Sequence, residues 1–315
     1  MAGVITIFGG SGFVGRSIVR ILAQQGWLIR VAIRRPVEAH ELQPLGDVGQ
    51  ITAVAAKVQD EALVHRAVEG SDAVINLAGI LFERGSQSFQ SVHVEGAQRV
   101  AKAAAACGAK ALIHLSALGA DAGSNSDYAR SKAEGEAAVL ATFPQATVLR
   151  PSIVFGPEDS FFNRFAALAQ ISPMLPLIGG GETKFQPVYV GDVARAAVAC
   201  LGGAQHQGKL YELGGPGVYS FRDLMNMMLA ETRRHCWLMP ISFKLADIQA
   251  RFLELAPAPL LTRDQVKLLK KDNVVAEAAL GLGDLGITPT ALEVVLPSYL
   301  DCFRVGGRYK SAESA

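Results

Sequence analysis

The stretch Val4-Ile5-Thr6-Ile7-Phe8-Gly9-Gly10-Ser11-Gly12-Phe13-Val14-Gly15 decides the fold. Its first five residues are a β-branched apolar run, the pattern of a strand buried on both faces. From Ser17 to Gln25 apolar residues recur at Ile18, Val19, Ile21 and Leu22, which is helical spacing, and Gly26 supplies a stop. Strand, glycine turn and helix in this order create a helix N-terminus whose N–H groups can cradle a pyrophosphate. Gly9 serves the sharp turn, Gly12 the close approach of phosphate and Gly15 the packing of helix on strand, with Gly10, Ser11, Phe13 and Val14 completing the loop. The spacing is G-x-x-G-x-x-G rather than G-x-G-x-x-G, so the glycines alone also suit an ordinary βα turn. The flanking strand and helix carry the nucleotide reading.

Working outward, the next strand, Leu28 to Ile33, ends in Arg34-Arg35, where an NAD site would place an acid on the ribose 2′-hydroxyl. Two guanidiniums grip a 2′-phosphate instead, so the expected cofactor is NADP(H). Strands and helices then alternate: Val48 to Ala55, a helix through Leu63 and Val68, Asp72 to Gly79, a helix from Val94 to Cys107, Ala111 to Leu115, a helix from Tyr128 to Ala141, and Ala146 to Leu149. The fold class is α/β, a Rossmann-type doubly wound parallel sheet.

The chain has 315 residues, enough for two domains or one large domain with a second lobe, and half of them are hydrophobic. A net charge of +1 gives no global field to concentrate nucleic acid. Cys107, Cys200, Cys236 and Cys302 form no CxxC pair, and the histidines show no ligand spacing, so neither a disulfide framework nor a metal site is expected. The longest uncharged stretch, Phe165 to Gly181, contains Pro173, Pro176 and three glycines, which would break a membrane-spanning helix. Met1 is followed directly by the strand-like run, so no secretory signal is expected and the chain reads as cytoplasmic.

Two further patterns bear on chemistry. Leu77-Ala78-Gly79 leaves the carboxyl end of a strand, the edge where open α/β sheets bind ligands, and its small residues let a flat ring approach. Tyr128 and Lys132, four apart on a helix, share a face. A lysine beside a phenol favours the phenolate, so Tyr128 is the candidate acid/base and Lys132 the candidate contact to the nicotinamide ribose.

With Leu149-Arg150-Pro151-Ser152-Ile153-Val154-Phe155-Gly156-Pro157 and Pro187-Val188-Tyr189-Val190-Gly191-Asp192-Val193-Ala194, these motifs resemble the extended short-chain dehydrogenase/reductases over nearly the whole chain. Within that superfamily, Ser160 to Phe165, Leu261 to Val266 and Leu296 to Leu300 resemble the dehydrogenase-like accessory subunit of respiratory complex I and its bacterial relatives. The resemblance implies tightly bound NADPH without an established turnover reaction, protein partners in the respiratory complex and peripheral contact with the inner face of an energy-transducing membrane. It also implies that Pro151 and Ile153 join the cofactor residues. Enzymes of the superfamily place a serine just after the fifth strand; here His114-Leu115-Ser116-Ala117 puts Ala117 at that position, one residue beyond Ser116. An offset of one at a strand end turns a side chain to the opposite face, so catalysis through Ser116 is in question while cofactor binding is not. The alternative is an active NADP-dependent reductase, dehydrogenase or epimerase acting on a sugar-nucleotide, steroid-like or quinone-related carbonyl.

Lys57 stands where the superfamily usually has an acid, and Asp60 is expected as the N-cap of the helix that follows. Residues 1–155, with 187–213 returning, are expected to form the nucleotide domain, and 156–186 with 214–315 a smaller lobe. In that lobe Phe243 to Leu255 is amphipathic: Lys244, Asp247, Arg251 and Glu254 form a polar stripe, and Phe243, Leu245, Ile248, Phe252, Leu253 and Leu255 cover the rest. Its apolar face is expected to pack on the lobe core rather than dock to a membrane or partner.

Overall fold

The computed structural model describes residues 3–256 and 259–307. Its central element is a seven-stranded, wholly parallel sheet. The strands are β1 (Val4–Phe8), β2 (Leu28–Ile33), β3 (Ile51–Ala55), β4 (Ala73–Asn76), β5 (Ala111–Leu115), β6 (Thr147–Pro151) and β11 (Leu210–Leu213). They lie in the order β11-β6-β5-β4-β1-β2-β3. The order reverses between β1 and β4, the topological switch point of a doubly wound sheet and the place where such sheets bind ligands. Ile5, Ile7, Val31, Val74 and Ile75 are inaccessible to solvent, as strands covered on both faces require.

On one face α1 (Phe13–Gln24) packs against α6 (Val190–Ala199). On the other, α2 (Glu61–Val68), α3 (Glu95–Ala106) and α4 (Asp127–Thr142) share a core that includes Phe8, Val64, Val74, Val100, Leu112 and Val139. Asp60 caps α2, its carboxylate accepting from the Leu63 N–H at 3.0 Å. The third strand begins at Ile51 rather than Val48, which is fully exposed, because Gly49 turns the chain at φ +80°. A π-helical turn, Gln90–Val94, precedes α3.

By contacts the chain divides into two compact units, Met1–Pro151 with Val190–Leu213 and Ala276–Thr288, and Ser152–Tyr189 with Gly214–Val275 and Pro289–Ala315. The return of Ala276–Thr288 to the first unit has no motif to mark it in the sequence. It is held by a bridge from Tyr211 to Leu280, by the Glu212 N–H on the Leu280 carbonyl at 2.8 Å, and by the Ala276 N–H on the Glu212 carboxylate at 3.0 Å.

Among the described residues the second unit has three strand pairs: β7 (Val154–Phe155) with β10 (Val188–Tyr189), β8 (Met174–Ile178) with β13 (Trp237–Ile241), and β9 (Lys184–Phe185) with β12 (Tyr219–Ser220). An aromatic core of Phe155, Phe162, Phe185 and Phe221 joins α5 (Phe162–Ile171) to α7 (Phe221–Thr232). Asp159 caps α5 and accepts from the Tyr299 hydroxyl at 2.6 Å. The amphipathic segment forms α8 (Phe243–Leu253), followed by α9 (Arg263–Leu268).

The orientation of α8 corrects the expectation drawn from its pattern. Its buried side is Ala246 and Ala250, with Phe243 packed partly against the same small cluster. Leu245, Ile248, Phe252 and Leu255 are instead 48%, 56%, 68% and 83% exposed. At 100° per residue that ridge lies nearly opposite the two alanines. Small side chains allow the helix axis to approach the unit closely, and the large ones are left outside.

Candidate functional site

The glycine turn is built by steric need. Gly9 has φ +78°, and a Cβ there would lie 3.2 Å from the Leu77 carbonyl carbon on the neighbouring strand exit. A Cβ on Gly15 would stand 2.5 Å from the Gly9 oxygen and 2.6 Å from the Gly10 Cα, so any side chain would pry α1 off β1. Gly12 starts α1 without a side-chain cap, and the first turn carries no acid. The positive end of that helix dipole therefore meets no fixed negative charge of the turn itself.

Around this turn the strand ends bring the other candidates together. Leu77, Ala78 and Gly79 leave β4 beside Gly9. Ser116 follows β5, and Pro151 ends β6, its carbonyl accepting from the Leu118 N–H at 2.9 Å. Arg34 and Arg35 follow β2 and are exposed. Arg16, from α1, binds the Ser11 carbonyl at 2.9 Å and pairs with Glu41 at 3.0 Å, so that nearby acid is engaged. Ile153 belongs to the second unit, where it packs against the aromatic core.

Lys132 is 5% exposed, and its Nζ donates to the Leu115 carbonyl at 2.9 Å. Burial pushes it down to about 8, an effect that the neighbouring Glu136 carboxylate partly offsets. Glu136 also takes a bidentate bond from Arg150, at 2.8 and 2.6 Å. Tyr128 is half-buried, edge-on to Phe89 and His93, and burial pushes its phenol up to about 12. At neutral pH the phenol therefore keeps its proton.

Two histidines complete the site. His93, from the π-turn, accepts from the Ile80 N–H at Nε2 (2.9 Å) and contacts the Ser131 hydroxyl through Nδ1 (2.8 Å). His114 lies 3.3 Å from the Asn76 amide, whose oxygen accepts from the Ala78 N–H at 3.1 Å. Burial, reinforced by the Lys132 charge, pushes both imidazoles down to about 3, so both are neutral. The sequence gives no signal for these roles, because neither histidine belongs to a glycine, Tyr-Lys or metal pattern.

Whether a dinucleotide suits this site is tested by what the fold leaves unfinished. The Ser116 hydroxyl is buried and has no hydrogen-bond partner among the described residues. An orphaned buried hydroxyl, a side-chain-free turn and an uncompensated helix N-terminus all fit a polar, anionic ligand at the sheet's switch point. The sequence profile of the NAD dependent epimerase/dehydratase family matches residues 5–214. The chain belongs to this family. The mitochondrial NADH dehydrogenase [ubiquinone] 1 alpha subcomplex subunit 9 of Arabidopsis thaliana is 35% identical over 96% of this chain and 79% of its own length. The ceramide reductase of Caulobacter vibrioides is 35% identical over 62% of this chain and 60% of its own. Among solved structures, MoeE5 in complex with UDP-glucose and NAD superposes with a TM-score of 0.72 at 18% identity, covering 95% of this chain and 97% of that one, a likeness of fold. Among the described residues no helix is long and apolar enough to cross a membrane.

Proposed function

We propose that this chain is a dehydrogenase-like component of a respiratory NADH:ubiquinone oxidoreductase that holds NADP(H) without turning it over. The likeness to the subunit 9 proteins over 96% of the chain carries the reading. In this reading the Gly9–Gly15 turn and α1 hold the pyrophosphate, Arg34 and Arg35 the 2′-phosphate, and Lys132 the nicotinamide ribose beside Leu77, Ala78 and Gly79. When bound, the nicotinamide supplies or accepts a hydride. Tyr128 has the proton that a carbonyl oxygen would need, but Ala117 has no hydroxyl to hold that oxygen, and losing one such donor typically costs about 10²–10³ in rate.

The exposed ridge of α8 supports association with the membrane-bound complex: Leu245, Ile248, Phe252 and Leu255 form an apolar surface edged by Lys244 and Arg251. The chain is then peripheral, held by protein contacts. Denaturing the protein purified from its own cells should release NADP(H), and the intact protein should migrate with NADH:ubiquinone oxidoreductase activity on native gels. Released NAD(H), or a protein that never migrates with the complex, overturns the respective half. The Arg34→Ala/Arg35→Ala double variant should weaken NADPH binding far more than NADH binding.

A second reading, an active reductase, is favoured by the intact Tyr128–Lys132 pair and by the ceramide reductase likeness. Rapid NADPH oxidation with a carbonyl substrate, abolished by Tyr128→Phe, would establish it in place of the first.

A further inference from the structure

The π-turn Gln90–Val94 runs directly into α3 and opens that helix, and such turns carry an extra residue at a cost in hydrogen-bond geometry. Here the surroundings are shaped to keep it. A Cβ on Gly135 of α4 would lie 2.2 Å from the His93 carbonyl oxygen, and one on Gly96 would lie 2.9 Å from Val58. The turn delivers His93 to a position 2% exposed, its ring stacked on Phe89 at 5.3 Å and edge-on to Tyr128 at 5.5 Å.

The hydrogen bonds around the ring fix its tautomer. The Ser131 hydroxyl donates to the Tyr128 carbonyl at 2.8 Å, so toward His93 it accepts, and Nδ1 carries the proton. Nε2 is then free to accept from the Ile80 N–H, as its 2.9 Å distance shows. The result is a relay of fixed polarity from the loop that leaves β4, through one imidazole, to the backbone of the Tyr128–Lys132 helix. An ideal Cβ on Gly79, in that loop, would lie 3.6 Å from the His93 Nε2 and 3.9 Å from the Lys132 Nζ, so loop, imidazole and amine meet at one point.

We propose that His93 is a positioning residue of the dinucleotide site, tying the Leu77–Ile80 loop to the Tyr128–Lys132 helix so that the nicotinamide half meets a preformed surface. The inference rests on the dinucleotide reading above. Without the acceptor at Nε2 the half-buried Ile80 N–H loses its partner, the loop populates displaced states, and the ordering it then needs is charged to binding.

The test compares NADPH with adenosine 2′,5′-bisphosphate, which carries only the adenine half. His93→Phe keeps an aromatic ring on Phe89 but offers no acceptor, and leaving the half-buried Ile80 N–H unpaired should weaken NADPH binding by up to about tenfold. Adenosine 2′,5′-bisphosphate should bind that variant as it binds the wild type, and His93→Gln, which restores an acceptor at the same reach, should recover most of the NADPH affinity. Ser131→Ala, a milder change that frees the tautomer, gives a smaller loss with the same selectivity and serves if His93→Phe does not fold. Equal NADPH affinity in His93→Phe and wild type, or equal losses for both ligands, would overturn the positioning role. A wild type that binds neither ligand overturns the dinucleotide reading itself.

Discussion

Helices α4 and α8 are both turned against the usual rule for a surface helix, in opposite senses. Helix α4 buries Ser131, Lys132 and Glu136, while α8 buries two alanines and leaves Leu245, Ile248 and Phe252 to solvent. In α4 the buried polar groups are matched: Lys132 to the Leu115 carbonyl, Glu136 to Arg150, Ser131 to His93 and the Tyr128 carbonyl. In α8 the exposed apolar groups are matched by nothing among the described residues. A placement that breaks the local rule and is satisfied internally points to a site, and one that breaks it and is left unsatisfied points to a partner.

The sharpest way to probe the α4 side is acid. His93 and His114 fall from the ordinary 6.5 to about 3 on folding, so between those values the unfolded chain binds more protons than the folded one. Stability contributed by the two neutral imidazoles is complete above pH 6.5 and is lost as pH falls toward 3, by roughly 4 to 5 kcal/mol between pH 6.5 and 4.5 for the pair. Urea titrations at stepped pH measure it, and His93→Phe should remove about half of the slope; an unchanged slope would separate His93 from the buried network. Next in size is Gly135→Ala, whose new methyl meets the His93 carbonyl and should destabilise by roughly 3 kcal/mol. A variant with wild-type melting would mean that α4 does not press on the π-turn.

Lys132→Met tests whether the buried charge is kept for a ligand rather than for the fold. A lysine held at about 8 is costly to keep charged at neutral pH, so the variant should be more stable by about 1–2 kcal/mol, with NADPH binding much reduced. Lower stability would show that the amine serves the fold. The smallest effect on folding should come from Phe252→Asp. At an exposed position it should shift stability by no more than about 0.5 kcal/mol while removing the protein from the respiratory complex on native gels. Unfolding would assign Phe252 to the core, and undisturbed migration would leave the ridge without a partner.

What could be read from the chain differs between these helices for a physical reason. The glycine turn, the strand exits and the Tyr128–Lys132 pair are local patterns, and each residue's placement follows from neighbours within one turn of backbone. The Asp60 cap was legible on the same ground. His93 was not, because an i to i+5 turn has no hydrophobic period to announce it and its partners Ile80 and Ser131 are fixed by tertiary packing. For α8 the period showed an apolar face but not which side the rest of the unit occupies. Ala246 and Ala250 settle that by allowing close approach, and nothing about alanine in a sequence says that it will outcompete leucine and phenylalanine for the interior.

The strip Ala276–Thr288 lies along β11, an outer strand of the seven-stranded sheet. A ribosome that has released Leu213 has made all seven strands, yet the cover for that flank is still more than sixty residues from synthesis. Until it arrives, β11 presents open backbone groups to any passing strand. A fragment cut at Gly214, where the match to the family profile ends, would keep all seven strands and leave that flank bare. The later part of the gene therefore does more than encode a second unit: it also supplies the strip that covers an outer strand of the first.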